Sequence, residues 1–316
     1  MKVCLTGAAG SGGSYLCEYI LEKHPGVEVH AMVRWHSTTT INNLENIKDK
    51  IFLHEVDLMD FSSVIQTLLK VNPDRIFHLA AHANVKACFD VPLAVINNNI
   101  MATANLLEAA RLVCPEARIM MCSTSEVYGD PQEIPIKETH PLDPVNPYAL
   151  SKLAGDRLAS VYYKSWKMPI VISRAFTYIN PRRRELFSTA FALQVARIES
   201  GKQKILKHGS LYSIRSIMDI RDMCAAYWAL LEMGEPGEVY NIGGGVTKSV
   251  GEFLGVLKSF ARVPIISELD QNLLRPVDVT RQIPDTTKFD KITQFKPQYS
   301  FEESIGFLLE HCRNQK

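Results

Sequence analysis

The sequence lacks the features that mark a membrane protein, a nucleic-acid-binding protein or a disulfide scaffold. No apolar run approaches the length of a membrane span. Neither sign of charge dominates, with 35 Lys+Arg against 34 Asp+Glu, so no positive field favours nucleic acid or anionic membrane. The seven cysteines include no Cys-x-x-Cys pair, which is typical of reduced thiols. The chain begins directly on a buried-strand pattern at Val3, without a signal-peptide pattern, and we expect a cytoplasmic protein.

What the sequence does contain is a regular alternation of short apolar runs with longer helical patterns. The candidate strands are Val3–Thr6, Val29–Val33, Ile51–His54, Arg75–Ala80, Ala117–Cys122 and Ile170–Ala175. The candidate helices are Gly13–Lys23, Phe61–Val71, Leu93–Val113 and Tyr148–Trp166. This alternation predicts a parallel sheet covered on both faces, because each crossover helix packs back over the sheet. The expected fold class is α/β, with a doubly wound parallel sheet of the Rossmann type.

After Ile179 the alternation becomes irregular. The candidate elements there are helix Phe187–Glu199, strand Ser216–Asp219, helix Arg221–Met233, strand Val239–Ile242, helix Val250–Arg262 and helix Phe301–Cys312. We expect a first domain over residues 1–178, to which about residues 214–245 return. Residues 179–316 are expected to form mainly a smaller C-terminal α/β cap over the carboxyl edge of the sheet.

A glycine-rich turn follows the first strand and opens the first helix. Gly7, Gly10 and Gly13 have Gly-x-x-Gly-x-x-Gly spacing. Small residues here let the backbone N–H groups and the helix N-terminus approach a pyrophosphate. A purely structural turn is the alternative. The strand-turn-helix context favours a dinucleotide-binding loop.

The end of the second strand indicates which dinucleotide is bound. An NAD-specific protein usually carries Asp or Glu there for the ribose hydroxyls, whereas this sequence has Arg34. A guanidinium suits the 2′-phosphate of NADP, so NADP is predicted over NAD unless Arg34 is a solvated loop residue. Further candidate cofactor contacts are Ser37, Asp57, Leu58, Leu79, Ala80, Ala81 and Asn99.

Candidate catalytic residues cluster just past the fifth strand and on the following long helix. Thr124, Ser125 and Glu126 lie at the sheet edge where doubly wound folds bind ligands. Tyr148 and Lys152 share a helix face. A nearby ammonium lowers a tyrosine pKa from about 10, so we expect Tyr148 to be a base and Lys152 to reach the cofactor ribose.

These motifs together resemble the extended short-chain dehydrogenase/reductase superfamily over nearly the whole chain. The stretches Gly10–Leu16, Ser123–Gly129, Asn180–Phe187 and Arg275–Val279 are similar to the GDP-mannose 4,6-dehydratase family within it. The resemblance implies transient oxidation of a nucleotide-linked hexose at C4 by NADP. It further implies that Thr124 binds the C4 oxygen, that Glu126 removes the C5 proton as water is lost, and that hydride returns to C6.

The resemblance also implies a nucleotide-diphosphate-sugar site in the cap. Arg215 and Arg275 match its diphosphate-binding positions, and Asp278 matches a ribose contact. The other implied substrate residues are Thr177, Arg183, Glu185 and Phe187. The sequence departs from the family pattern at several positions, which puts the base and the sugar in doubt: Thr177 and Ser210 replace asparagines, Arg184 a glycine, Asp278 a glutamate and Trp35 an arginine.

Three other functions remain open at this point. They are an NADPH-dependent 4-keto-6-deoxy-sugar nucleotide reductase, a nucleotide-sugar 4-epimerase and a non-catalytic NADP-binding module, which would have no use for Tyr148 and Lys152. No metal site is expected, because His78 lies in a predicted strand and cannot share a helix face with His82. The long helices Leu93–Val113 and Tyr148–Trp166 pair across a dimer in the superfamily, so a homodimer or homotetramer is expected.

Overall fold

A computed structural model describes residues 1–34, 41–274 and 279–315 of the chain. Its strands are β1 Lys2–Thr6, β2 Glu28–Val33, β3 Phe52–Glu55, β4 Arg75–His78, β5 Arg118–Thr124, β6 Ile170–Ala175, β7 Thr177–Ile179, β8 Ile205–His208, β9 Ile214–Asp219, β10 Val239–Ile242, β11 Val246–Ser249, β12 Ile266–Leu269 and β13 Arg281–Gln282. Its helices are α1 Ser11–Lys23, α2 Phe61–Val71, α3 Ala87–Asp90, α4 Pro92–Val113, α5 Pro147–Trp166, α6 Phe187–Glu199, α7 Ile220–Met233, α8 Val250–Ser259, α9 Thr287–Thr293 and α10 Phe301–Arg313.

The main sheet is parallel and has the order β10-β6-β5-β4-β1-β2-β3 within the described chain. The strand order reverses beside β1, which pairs with β2 on one side and with β4 on the other. Such a reversal opens a crevice at the carboxyl ends of the strands. Apolar layers cover both sheet faces. The predicted doubly wound Rossmann sheet is confirmed.

A second layer lies over the carboxyl edge of this sheet. Strands β7, β9, β11 and β13 form a small mixed sheet, and β8 pairs with β12. Helices α6, α8 and α10 bury a separate apolar core with these strands. About residues 214–245 were expected to return to the first domain. Of these, α7 packs in the apolar core of the main sheet and β10 pairs with β6, whereas β9 belongs to the small sheet.

Side-chain caps define where several helices begin. Asn146 caps α5 by accepting the Ala149 N–H at 2.8 Å, and Pro147 occupies the first turn, where a missing N–H costs nothing. Ser249 and Ser300 start α8 and α10 with complete capping boxes. The α5 cap fixes the point on the helix from which Tyr148 projects.

Two strands end two residues away from their expected last residue. The expected fifth strand ended at Cys122, but β5 continues to Thr124, which pairs with Ala175 of β6. The pairing partner extends the strand, and no single-sequence pattern reveals it. Conversely, β4 ends at His78 rather than Ala80, so Leu79 and Ala80 belong to the loop above the sheet.

Candidate active site

The glycine turn is packed so tightly that side chains are excluded from it. A Cβ on Gly13 would lie 2.2 Å from the carbonyl oxygen of Gly7, and Gly7 itself has φ +68. A Cβ on Gly7 would lie 2.9 Å from the backbone of Ala80. Gly10 begins α1 without a side-chain cap, and no acidic residue occupies the first turn. The uncapped N–H groups and the absence of acidic side chains suit a pyrophosphate.

A buried hydrogen-bond chain holds the loop beyond β4 against this turn. The Ala80 N–H donates to Thr6 Oγ1 at 3.2 Å, and Thr6 Oγ1 lies 2.8 Å from His78 Nδ1. His78 Nε2 lies 3.0 Å from Thr103 Oγ1, whose hydroxyl donates to the Asn99 carbonyl. Nε2–H must therefore be the donor to Thr103, and Thr6 donates to Nδ1. Burial lowers the pKa of His78 to about 3, consistent with this neutral form.

The remaining expected cofactor residues lie along the same sheet edge, with one exception. Asn99 is buried, and its carboxamide bonds the backbone of His82 and the Ser151 hydroxyl. It therefore ties α4 to α5 and to the loop after β4. Arg34 is exposed at the end of β2 and is close enough to His82 to contribute to lowering its pKa, which burial lowers first. Ser37 lies outside the described residues.

The other expected cofactor residues lie in the loops that follow β3 and β4. The Asp57 carboxylate accepts the Met59 N–H at 2.9 Å, and the Leu58 carbonyl accepts Asn105 Nδ2–H at 2.9 Å. Leu79, Ala80 and Ala81 are half-buried in the loop after β4. These residues and the glycine turn line one crevice edge, as a cofactor lying across the reversal point requires.

Tyr148 and Lys152 lie buried in the first half of α5, where they are 8% and 7% exposed. Burial raises the pKa of Tyr148, and Arg183 is the strongest opposing influence, with a smaller lowering from a hydrogen bond to Thr124. Burial lowers the pKa of Lys152. Lys152 was expected to be the cation that lowers the tyrosine pKa. In the structure Arg183 is the cation with the strongest lowering effect on the Tyr148 pKa.

Arg183 follows β7 and reaches back over the main sheet. Its Nη2–H donates to the Ala83 carbonyl at 2.7 Å, and its Nε–H donates to Glu185 at 3.1 Å. Arg183 also lowers the pKa of Tyr178, which burial raises to about 12. The Tyr178 hydroxyl lies 3.6 Å from the point that a Cβ on Gly12 would occupy. Sequence reasoning placed Arg183 beside the substrate and missed both its contact with the phenols and Tyr178 itself.

The Glu126 carboxylate is held by two carboxamides. Asn146 Nδ2–H donates to Oε2 at 3.2 Å, and Gln282 Nε2–H donates to Oε1 at 3.3 Å. Asn146 is the cap of α5, and Gln282 belongs to β13. Sequence reasoning named neither residue. Asn146 could have been noticed in the sequence, because an asparagine before a proline is a typical helix cap and Tyr148 follows two residues later. No sequence pattern around Gln282 indicates its contact with Glu126.

Short contacts join the Thr124–Glu126 segment to the start of α5. Thr124 Oγ1 accepts the Glu126 N–H at 3.3 Å and contributes a hydrogen bond to Tyr148. Asn146, two residues before Tyr148, donates to Glu126. Ser125 is buried in the 3₁₀ turn Ser125–Tyr128. Thr124 and Asn146 therefore link the segment that carries Glu126 to the start of the helix that carries Tyr148.

The expected substrate residues of the cap have several different surroundings. Thr177 is half-buried on β7, and Glu185 is exposed beside Arg183. Phe187 packs edge-to-face on Phe191 and Phe253, so most of its ring contributes to the cap core. Arg215 is buried on β9, with Nη1–H on the Ile214 carbonyl at 3.0 Å. Arg275 and Asp278 lie outside the described residues, as does Trp35.

The described residues lack both a metal-binding cluster and a membrane-spanning helix. Within residues 1–34, 41–274 and 279–315, no group of three or more His, Cys, Asp or Glu side chains is placed to hold a metal ion. Over the same residues, none of the helices has both the length and the apolar character needed to cross a bilayer.

A doubly wound sheet with a glycine turn at its reversal point and a Tyr-x-x-x-Lys helix beside it defines the short-chain dehydrogenase/reductase class. Solved structures with this fold include RMD from Pseudomonas aeruginosa complexed with NADPH, at 26% identity and a TM-score of 0.86, covering 100% of this chain and 99% of that chain. Another is UDP-glucuronic acid 4-epimerase from Bacillus cereus with NAD, at 26% identity and a TM-score of 0.87, covering 100% of both chains.

The sequence itself is more specific. The GDP-mannose 4,6 dehydratase of Dictyostelium discoideum is 31% identical, with 99% of this chain and 97% of the relative covered. The model of that family matches residues 4–306, and the chain belongs to the GDP-mannose 4,6 dehydratase family. The resemblance read from the four sequence stretches is confirmed.

Proposed function

We propose that this protein is a nucleotide-sugar 4,6-dehydratase that uses NADP and acts on GDP-mannose. The observation that carries the proposal is the Glu126 carboxylate, which two carboxamides hold beside the start of α5. The backbone N–H of the same residue donates to Thr124, which also contributes a hydrogen bond to Tyr148. A reductase or a 4-epimerase needs the phenol but has no proton to remove from C5. Family membership supports the same reaction.

The reaction removes water from a hexose whose C5 proton is not acidic at first. Tyr148 takes the C4 hydroxyl proton, and Thr124 binds the same oxygen. When bound, the nicotinamide would supply the redox chemistry as hydride acceptor for C4 and hydride donor for C6. Glu126 accepts the C5 proton, which the C4 ketone has made acidic, and passes a proton to the leaving C6 hydroxyl, so that water departs. The proton that Tyr148 took from the C4 hydroxyl balances the cycle by returning to C5 when C6 is reduced. The glycine turn has no side chain at Gly7, Gly10 or Gly13, and the N-terminus of α1 has no side-chain cap, so backbone N–H groups there can bind the pyrophosphate of a dinucleotide.

A substrate screen tests this function. The purified protein is offered GDP-mannose and other nucleotide hexoses without added reductant, and the products are weighed by mass spectrometry. We expect a 4-keto product lighter by about 18 mass units, one water. Glu126→Gln should abolish the loss of water while slow reduction of the cofactor by substrate survives. Full turnover by that variant would remove Glu126 from the mechanism. Product formed only from a keto-sugar with stoichiometric NADPH would favour a reductase.

The preference for NADP over NAD is part of this proposal. It is supported by Arg34 at the end of β2, in place of the carboxylate that holds the ribose hydroxyls of NAD. Dissociation constants for both cofactors are compared in wild type and Arg34→Ala. We expect the variant to lose affinity for NADP and to keep its affinity for NAD. Equal wild-type affinities for the two cofactors would overturn the preference.

We assign the nucleotide to the cap. Arg215 and Arg275 are proposed to bind the diphosphate, and Asp278 the ribose, with Thr177, Arg183, Glu185 and Phe187 nearby. The proposal is supported for Arg215 by its buried place on β9, next to β13. Arg215→Lys keeps the charge but loses the paired donors, so we expect KM for the substrate to rise with little change in cofactor binding. An unchanged KM would contradict this.

We further propose a cytoplasmic homodimer or homotetramer. The described residues include all seven cysteines and contain no disulfide bond, which is typical of a reducing compartment. Apolar side chains are exposed on the two long helices that pack on each other: Leu93, Met101 and Leu112 on α4, and Leu150 and Val161 on α5. Light scattering of wild type and Met101→Glu tests the interface. A dimer that dissociates in the variant is the expected result, and a wild-type monomer would contradict it.

A further inference from the structure

The carboxylate proposed to remove the C5 proton is anchored from the cap as well as from the main domain. Gln282 is 2% exposed and donates its Nε2–H to Glu126 Oε1 at 3.3 Å. The two residues are 156 positions apart in the sequence. The second anchor, Asn146, donates to the other carboxylate oxygen at 3.2 Å. Each oxygen of Glu126 therefore accepts one neutral carboxamide N–H.

The backbone around Gln282 is fixed on both sides. On the cap side, β13 pairs with β9, and the Ile214 N–H donates to the Thr280 carbonyl at 2.8 Å. On the other side, the Ile136 N–H donates to the Ile283 carbonyl at 2.8 Å, and the Ile136 carbonyl accepts the Asp285 N–H at 2.8 Å. The Gln282 carboxamide thus extends from a strand that is held between the cap and the loop beyond the active site.

The neighbour of Gln282 in the small sheet is Arg215, in parallel register. Arg215 is the buried arginine that we assigned to the substrate diphosphate. The strand that would bind the nucleotide and the strand that holds the catalytic carboxylate are therefore hydrogen-bonded neighbours. The residue proposed to bind the substrate and the residue that holds Glu126 therefore lie on adjacent strands of the same small sheet.

We infer that Gln282 is a positioning residue that orients Glu126 toward C5 and makes that orientation depend on the substrate-binding cap. This rests on the proposed dehydratase function. A glutamate has three side-chain torsions, and a single hydrogen bond from Asn146 leaves the carboxylate free to rotate about that contact. A second donor on the other oxygen fixes the plane of the group. Proton transfer from carbon depends on such alignment.

The inference separates two steps of the reaction. Oxidation at C4 uses Tyr148 and the cofactor, whereas the Gln282 carboxamide donates to Glu126. Removal of the C5 proton uses Glu126. Loss of the Gln282 donor therefore slows elimination alone, so that C4 oxidation runs ahead and reduced cofactor accumulates. If Gln282 only filled space in the cap, its substitution would slow C4 oxidation and elimination alike. It would also change the melting temperature and KM.

The first experiment uses Gln282→Met, which keeps the length of the side chain and removes its donor. Arg281→Met, on the exposed neighbouring residue of the same strand, is the matched control. A hydrogen bond to a charged group supports a fall in kcat of about 10- to 100-fold. We expect this fall with KM near wild type, together with a rise in nicotinamide absorbance during a single turnover. The control should behave as wild type.

A second variant covers the case in which Gln282→Met folds poorly. Gln282→Glu is nearly isosteric and sets a second carboxyl group against Glu126. At neutral pH the two carboxylates repel each other, but at lower pH one shared proton lets the introduced group donate a hydrogen bond to Glu126. We expect the activity of this variant relative to wild type to rise as pH falls. The Gln282→Met activity ratio should stay flat.

The outcomes distinguish this inference from the proposed function. If wild type converts no nucleotide hexose to a lighter keto product, the dehydratase function fails and the inference fails with it. If wild type is active and Gln282→Met matches it in kcat, the inference alone is overturned. Equal slowing of C4 oxidation and elimination in both variants would also overturn it, because Gln282 would then have a purely structural role.

Discussion

The buried ion pair beneath the active site gives the sharpest stability prediction. Arg174 on β6 donates Nε–H and Nη2–H to the two oxygens of Asp156 on α5, at 2.9 and 3.2 Å, and both residues are 2% exposed. Nη1–H of Arg174 also donates to the Tyr128 hydroxyl at 3.1 Å. Asp156→Asn keeps the shape of the aspartate and removes its charge, so an unpaired guanidinium remains buried.

The magnitude follows from that uncompensated charge. Breaking a buried pair by removing one partner costs about 3–5 kcal/mol. For a chain of 316 residues, the average unfolding entropy per residue converts this cost to a fall in melting temperature of about 5–8 °C. Scanning calorimetry of wild type and Asp156→Asn at one scan rate measures the shift.

A control and a double variant make the test strict. Glu108→Gln breaks a partly exposed pair with Arg111, and we expect a shift of no more than about 1 °C. Asp156→Leu combined with Arg174→Met replaces the pair by apolar groups and should recover most of the loss. If Asp156→Asn melts within about 2 °C of wild type, the reasoning is refuted.

Three further predictions follow from single residues. His78 stays neutral in the folded protein down to about pH 3, whereas an unfolded histidine takes a proton near pH 6.5. The free energy of unfolding should therefore fall by about 2 kcal/mol between pH 6.5 and pH 5. The melting temperature of His78→Gln should not show this dependence on pH. Gly13→Ala should abolish cofactor binding in titrations, because its Cβ meets the Gly7 carbonyl. Gly255→Ala, at an exposed position of α8 with open space around it, should instead stabilise the protein by about 0.5–1 kcal/mol. Burial raises the Tyr148 pKa, and Arg183 opposes this rise. Arg183→Met should therefore move the pH–rate profile of C4 oxidation to higher pH than in wild type or in Arg183→Lys. Identical profiles would show that Arg183 has no part in the reaction.

The parts of the fold that were predictable are those set by local pattern. The apolar strands of the main sheet, the glycine turn at Gly7–Gly13 and the helix carrying Tyr148 all have signals within a few residues. The strand ends were less accurate, because Thr124 is extended by pairing with Ala175 across the sheet. The place of β9 in the small sheet likewise depends on its partners β7 and β11 rather than on its own sequence.

In the candidate site, too, the residues in local motifs were predictable and those that depend on long-range packing were not. Thr124, Glu126, Tyr148 and Lys152 lie in short motifs, and helix spacing is enough to put the last two on one face. That spacing alone also suggested that Lys152 lowers the tyrosine pKa. The structure instead gives this effect to Arg183, from a different element, because the phenol responds to whichever charge faces it after folding.

Gln282 shows why the rest was out of reach. A glutamine in a two-residue strand has no periodicity, no cap position and no motif around it. Its contact with Glu126 exists only because β13 is held between β9 and the Ile136 loop, which brings together residues 156 positions apart. The chemistry of the carboxylate could be inferred from its neighbours in sequence. Its orientation depends on the cap, and only the folded chain reveals that dependence.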